Sequence, residues 1–227
     1  MHPHQESPIN AIPPVVLVLF FMIIGIDLAF MAGAKGILGG SQGVGWRIGA
    51  IQSYGFSSEI FQWMINNWRF PPEHMMRFVT FPFVHGNFTS ALFAGIMVLA
   101  LGKFVGEVFA QWAVLVVFFV SGIVGAVVHG FVMQAQPWLI GAFPGVYGLI
   151  GAFTFSLWVS LANTGGPQAR AFTLIGFLMG IQLVFGLLFG SDSMWLAEFT
   201  GFATGFVMSF ILTPGGWARI RAKLRHS

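Results

Sequence analysis

The sequence predicts an all-α polytopic membrane protein, a bundle of six transmembrane helices with a long, partly helical loop after the first span. Three observations predict it. Of 227 residues, 56% are hydrophobic and only 7% charged, against about 25% charged in an average soluble domain. Apolar runs approaching the ~20 residues that cross a bilayer as a helix recur along the chain. The 30 glycines suit close helix packing in lipid, whereas in a soluble helix each costs roughly 0.5 to 1 kcal/mol.

The spans are expected in order at residues 14–34, 87–106, 112–133, 143–161, 171–190 and 194–213. The first is not a cleaved leader, because MHPHQESPINAIPP has no basic start and the apolar run continues past Met31. Between spans one and two, SSEIFQWMINNWRF repeats apolar residues at helical spacing and is expected to lie as an amphipathic helix at the interface. The remaining connections are short. This divides the chain into a short cytoplasmic N-terminus (1–13), a membrane domain (14–213) and a basic cytoplasmic tail (214–227) ending in GGWARIRAKLRHS, anchored by Trp217 and suited to anionic lipid. With both termini inside, Lys103, Arg170 and the tail cations are cytoplasmic, while Lys35, Arg47, Arg69 and Arg77 fall in the long external loop, whose charges weigh less. A bacterial inner (plasma) membrane is the expected location.

Composition also narrows the chemistry. Zero cysteines remove disulfides, thiolate metal sites and cysteine nucleophiles. The net charge of +3 and pI near 9.8 come from thinly spread cations, which does not make a nucleic-acid surface. No cofactor is expected. His85 and Glu198 offer two metal ligands without a third at recognisable spacing, so no metal site is assigned.

Three segments carry a more specific signal. They are GAFPGVYGLIGAF from Gly141, LAEFTGFATGF from Leu196, and RFVTFPFVHGNFTSALFA from Arg77. Together with SGIVGA at 121–126, they resemble the rhomboid family of intramembrane serine proteases, in which the first segment reads GxSGxxYGL, the second AHxxGxxxG and the third RxxTxxFxHxxxxHxxxN. The resemblance runs through nearly the whole chain after residue 76, and it keeps Arg77, His85, Gly145, Tyr147, Gly201 and Gly205. It also implies that the nucleophilic serine is replaced by Pro144, the general-base histidine by Glu198, and the oxyanion-binding histidine and asparagine by Ser90 and Ala94. Proline has no hydroxyl to attack a carbonyl, and a carboxylate cannot activate an absent nucleophile. Alanine donates nothing to an oxyanion. No catalytic residue is therefore assigned, and the resemblance implies a rhomboid pseudoprotease.

Each substituted position also has an ordinary structural explanation. Proline favours the first helical position, and Phe143 beside Pro144 fills space a substrate backbone would need. An acid within a span costs about 2.5 to 3.5 kcal/mol on insertion scales, so Glu198 should face the bundle with His85 or Gln182 as partner. Asp27 in span one is a second such acid, and His129 in span three reads as a packing histidine. Trp68 and Arg69 read as an interfacial anchor, although their composition resembles the tryptophan-arginine motif of inactive rhomboids and derlins. The pairs Gly141/Gly145, Gly176/Gly180, Gly186/Gly190 and Gly201/Gly205 let helices approach closely.

The resemblance implies a non-proteolytic membrane protein that binds transmembrane helices of client proteins within the lipid bilayer and alters their stability or trafficking. A client is expected at the edge between spans two and five, near Phe88, Phe93, Phe172 and Leu183, with Phe118 of span three on the opposite, lipid-facing side. Two alternatives stand beside it: a hydrolase with relocated residues, such as Glu198 and His85 acting on water or Ser121 as a nucleophile, and a solute transporter using Asp27 and Glu198 as a proton relay.

Overall fold

A computed structural model describes residues 11–133, 138–189 and 194–213, and every described element is helical apart from one isolated β-bridge. The first span is α1 (Pro14–Ala34), with proline in its first turn where a missing N–H costs nothing. The long loop folds into α2 (Gly40–Gly43), α3 (Trp46–Tyr54), α4 (Ser58–Asn67), α5 (Pro72–Met75) and α6 (Arg77–Thr80), then a 3₁₀ turn at Phe81–Phe83. The remaining helices are α7 (Phe88–Val108), α8 (Gln111–Val132), α9 (Phe143–Asn163), α10 (Thr173–Phe189) and α11 (Met194–Leu212).

Five of the six predicted spans, α1, α7, α8, α9 and α11, are long and apolar enough to cross a membrane. The other, α10, has 17 residues, which at ~1.5 Å per residue gives about 25 Å. A 3₁₀ helix, Gln168–Phe172, leads directly into it. The six-helix arrangement therefore stands, with α10 its shortest member.

Packing centres on α9, whose neighbours are α11, α8 and α7, while α1 lies against α7. Leu149, Ile150 and Val146 of α9 join Val117 and Phe118 of α8 and Ala94 and Val98 of α7 in one fully or nearly fully buried core. Phe118 is thus not lipid-facing as expected. It lies on the same face of α8 as Ser121 and Gly125, three and seven residues on, and its ring fills the space beside Gly145, 2.8 Å from where a side chain there would begin. By contrast α10 is peripheral. Among its described side chains only Ile175 is buried, whereas Phe177, Ile181, Val184 and Leu188 are exposed.

The amphipathic helix expected in the long loop is α4. Ser57 caps it by accepting from the Ile60 N–H at 3.3 Å, Phe61 and Met64 face inward, and Trp63 faces out. Gln62 Nε2 donates to the Gly130 carbonyl of α8 at 2.7 Å, which ties the loop to the bundle. The bridge between Phe56 and Leu139 ties it to the segment before α9. Trp68 ends α4 in the left-handed conformation (φ 50°) and is 83% exposed, as an interfacial anchor would be.

Candidate functional site

Chain geometry brings the start of α9 and the first turns of α11 together. Gly201 and Gly205 make that approach possible, because a side chain at Gly201 would collide with the Pro144 carbonyl oxygen and one at Gly205 with the Gly148 carbonyl oxygen. Backbone lies directly on backbone there, and only glycine fits. Pro144 is buried in the first turn of α9, its ring Cβ 3.3 Å from where a side chain on Gly125 of α8 would begin. The residue therefore plugs a three-helix junction.

The turn before Pro144 is fixed from below. Gly141, at φ 91°, turns the chain in a conformation that suits glycine and donates its N–H to the Phe81 carbonyl at 3.0 Å. The next N–H, of Ala142, donates to His85 Nε2 at 3.2 Å. An Nε2 that accepts is unprotonated, so His85 is the neutral Nδ1–H tautomer. Burial pushes its pKa down to about 4, with nearby Arg47 lowering it further and Asp27 opposing the shift. His85 is 1% exposed.

Below His85 lies a buried ion pair. Arg47 of α3 donates through Nη1 to Asp27 Oδ1 at 2.5 Å and through Nη2 to Oδ2 at 3.3 Å. The same Nη1 donates to the His85 carbonyl at 2.6 Å, and the guanidinium lies over the Phe30 ring. Asp27, an unexplained acid in the sequence, thus acquires a cation from the loop after α1. On the other side of the loop Arg77 Nη1 donates to the Gly55 carbonyl at 2.8 Å, and its guanidinium packs over Trp138. Arg77 and His85 are therefore scaffold residues that hold the loop and the turn before α9.

Glu198 is buried in α11, but near that helix's start rather than mid-span: it is the fifth residue, counting from Met194. Of the two partners expected from the sequence, the structure selects Gln182 of α10, whose Nε2 donates to Glu198 Oε2 and also to the Tyr147 hydroxyl at 3.2 Å. His85 is not that partner, because its Nε2 is committed to the Ala142 N–H. Tyr147, retained from the motif on α9, is 5% exposed and completes an amide, phenol and carboxylate cluster joining α9, α10 and α11.

Ser90 and Ala94 sit on the first two turns of α7. The Ser90 N–H donates to the capping Asn87 side chain at 2.9 Å, and Ala94 is fully buried. Phe143 packs 6.2 Å from Phe93, centroid to centroid, across the mouth between α7 and α9. Ser121, the residue weighed as a relocated nucleophile, is fully buried where its hydroxyl faces Gly148, with no hydrogen-bond partner among the described residues. His129 is buried in α8. Gly176 and Gly180 face open space, while Gly190, the side chain of Leu183 and the basic tail lie outside what the structure describes.

Two roles were missed in the sequence. Arg47 reads in the sequence as an ordinary loop cation, although a buried Asp27 signals that some cation must reach it. Tyr147 reads as a motif residue, although a buried phenol needs a polar neighbour and so does Glu198.

A family model of the Rhomboid domain matches residues 72–215, from the loop helices through α11. No curated protein matches the chain in a sequence search. With well over half its length matched, the chain belongs to the rhomboid family.

Proposed function

We propose that this rhomboid is non-proteolytic and binds transmembrane segments of client membrane proteins, altering their stability or trafficking. The observation that carries the reading is the first turn of α9: in register with Gly141, Tyr147 and Leu149 the motif's serine falls on Phe143, one residue before the expected Pro144, and Pro144, in the place of the next glycine, is packed under Gly201 beside Gly125. No hydroxyl stands there, and no acyl-enzyme forms without one. Supporting it, Glu198 is engaged by Gln182 rather than facing Pro144's turn as a free base, and Ala94 supplies no oxyanion donor. Ser121 has neither a base beside it nor space for an acyl group.

What survives is the scaffold, and it favours binding. The α9–α11 backbone contact, the His85 hydrogen bond and the Arg77 and Arg47 anchors keep the bundle rigid on one side. Peripheral α10, with Gly176 and Gly180 exposed beside Phe177 and Ile181, leaves a lipid-facing edge where a second helix fits closely. Photocrosslinkers at Phe93, Phe177 and Ile181 are expected to capture other membrane proteins in the native membrane. A crosslinker at Trp112 of α8, which is 57% exposed, serves as the control face in place of buried Phe118. Equal capture at both faces would argue against a client edge.

A further inference from the structure

We propose that the loop after α1 carries a binding site for the aminoethyl headgroup of a phospholipid, formed by Glu59, Trp63 and His74. The site belongs to α4 and α5, whereas the client edge belongs to α10, so it stands or falls independently of client binding.

Glu59 and Trp63 are four residues apart on α4 and so share one face of that helix. That face, with Ile60 and with His74 of α5, lines an open cavity of about 210 Å³. One water takes up roughly 30 Å³ in the liquid, so an aminoethyl group fits. The His74 ring stands at 89° to the Trp63 indole with 6.0 Å between centroids, which holds the indole beside the cavity while 43% of Trp63 stays exposed.

This lining selects a cation with N–H donors. The Glu59 carboxylate is exposed and has no ion pair or hydrogen bond among the described residues. Its place in the first turn of α4 suits an acid on its own, but does not account for the indole and the cavity beside it. An ammonium is attracted both by the carboxylate and by the face of the indole. No lysine or arginine lines the cavity, so nothing there offsets Glu59, and an anionic headgroup is repelled. His74 adds a preference for a primary amine, because its Nδ1 is buried without a partner and a turn of the ring offers that nitrogen to an N–H donor in the cavity. A primary ammonium has N–H groups to give to both the carboxylate and the ring, whereas a trimethylated one has none.

The surroundings favour a lipid as the source of the amine. Trp68, Phe70, Met75 and Met76 flank His74 along the loop and are exposed. A soluble amine gains nothing from these apolar side chains, while a headgroup held at Glu59 leaves its acyl chains free to lie against them, as at an interfacial amphipathic helix.

The test is native mass spectrometry of the full chain in detergent with phosphatidylethanolamine, phosphatidylcholine and phosphatidylglycerol of matched acyl chains. Wild type is expected to retain the ethanolamine lipid roughly fivefold more than the choline lipid, and the glycerol lipid least. Glu59→Gln, which removes the charge and keeps the shape, should bring the ethanolamine-to-choline ratio close to one. His74→Phe, which keeps a ring against Trp63, should lower it. Glycerophosphoethanolamine, the same headgroup without acyl chains, should not displace the lipid at equal concentration. Equal retention of the ethanolamine and choline lipids by wild type, or a preference unchanged in Glu59→Gln or in His74→Phe, overturns the site. Displacement by glycerophosphoethanolamine at equal concentration overturns the assignment to a lipid.

Discussion

Arg47 reaches from the loop after α1 to Asp27 inside the first span, closing a two-pronged ion pair whose nearer prong is 2.5 Å and whose carboxylate is fully buried. The same guanidinium holds the His85 carbonyl, and His85 in turn holds the Ala142 N–H at the start of α9. A continuous polar chain therefore runs from α1 through the loop to the turn that carries Pro144.

Removing one end of that chain should be costly. Breaking a buried pair leaves an uncompensated charge, at about 3 to 5 kcal/mol in the interior. Arg47 retains 22% side-chain exposure, so the lower end of that range applies. Arg47→Met and Asp27→Leu are each expected to lower the thermal midpoint in detergent clearly, and the double variant to lose less than the sum of the singles. Additive losses would mean that the two side chains do not stabilise each other.

His85 gives a pH signature. Its pKa falls from 6.5 in the unfolded chain to about 4 in the folded one, so between those values the unfolded state binds more protons and stability must rise with pH. Its full contribution is present above the unfolded value. It is lost as pH falls from 6.5 toward 4 and is constant below that, for roughly 3 kcal/mol at ~1.4 kcal/mol per unit. Thermal scans across pH 4 to 7 should show a steeper acid loss in wild type than in His85→Gln. Parallel profiles would mean that His85 is not buried in its neutral form.

The glycines separate packing from composition. Gly205→Ala places a methyl on the Gly148 carbonyl oxygen and should destabilise or unfold the bundle, whereas Gly176→Ala enters open space and should leave the midpoint nearly unchanged. Similar effects at both sites would contradict the backbone contact between α9 and α11.

Glu198 tests the polar cluster. Gln at this position keeps a hydrogen-bonding partner for Gln182, while Leu strands a buried amide at roughly 1 to 3 kcal/mol. The midpoint should order wild type and Glu198→Gln together with Glu198→Leu below. If Leu proved equal or better, Gln182 would not depend on Glu198 in the resting state.

These outcomes also show what was legible in the sequence. The spans were readable because each lipid-crossing helix must satisfy its backbone internally and therefore appears as an unbroken apolar run. Gly201 and Gly205 were readable because their four-residue spacing falls on one helix face. The Arg47–Asp27 pair was not, since it joins residues twenty apart through a loop whose path no periodicity encodes. Glu198 was narrowed to two partners, but only the placement of α10 decides between Gln182 and His85. Phe118 was misplaced because an apolar side chain suits lipid and core alike. The small residues Ser121 and Gly125 on its own face were the available sign that this face packs inward.

The account turns on the absence of proteolysis, and the most direct measurement is reaction of the purified, full-length protein with a serine-directed fluorophosphonate probe alongside a reconstituted transmembrane substrate. Wild type is expected to show neither labelling nor cleavage. Glu198→His combined with either Phe143→Ser or Pro144→Ser should stay nearly inactive, because loss of a single oxyanion donor costs about 10² to 10³ in kcat and Ser90→His with Ala94→Asn are still missing. Probe labelling of wild type, with cleavage lost on mutating Ser121 or Glu198, would contradict the account.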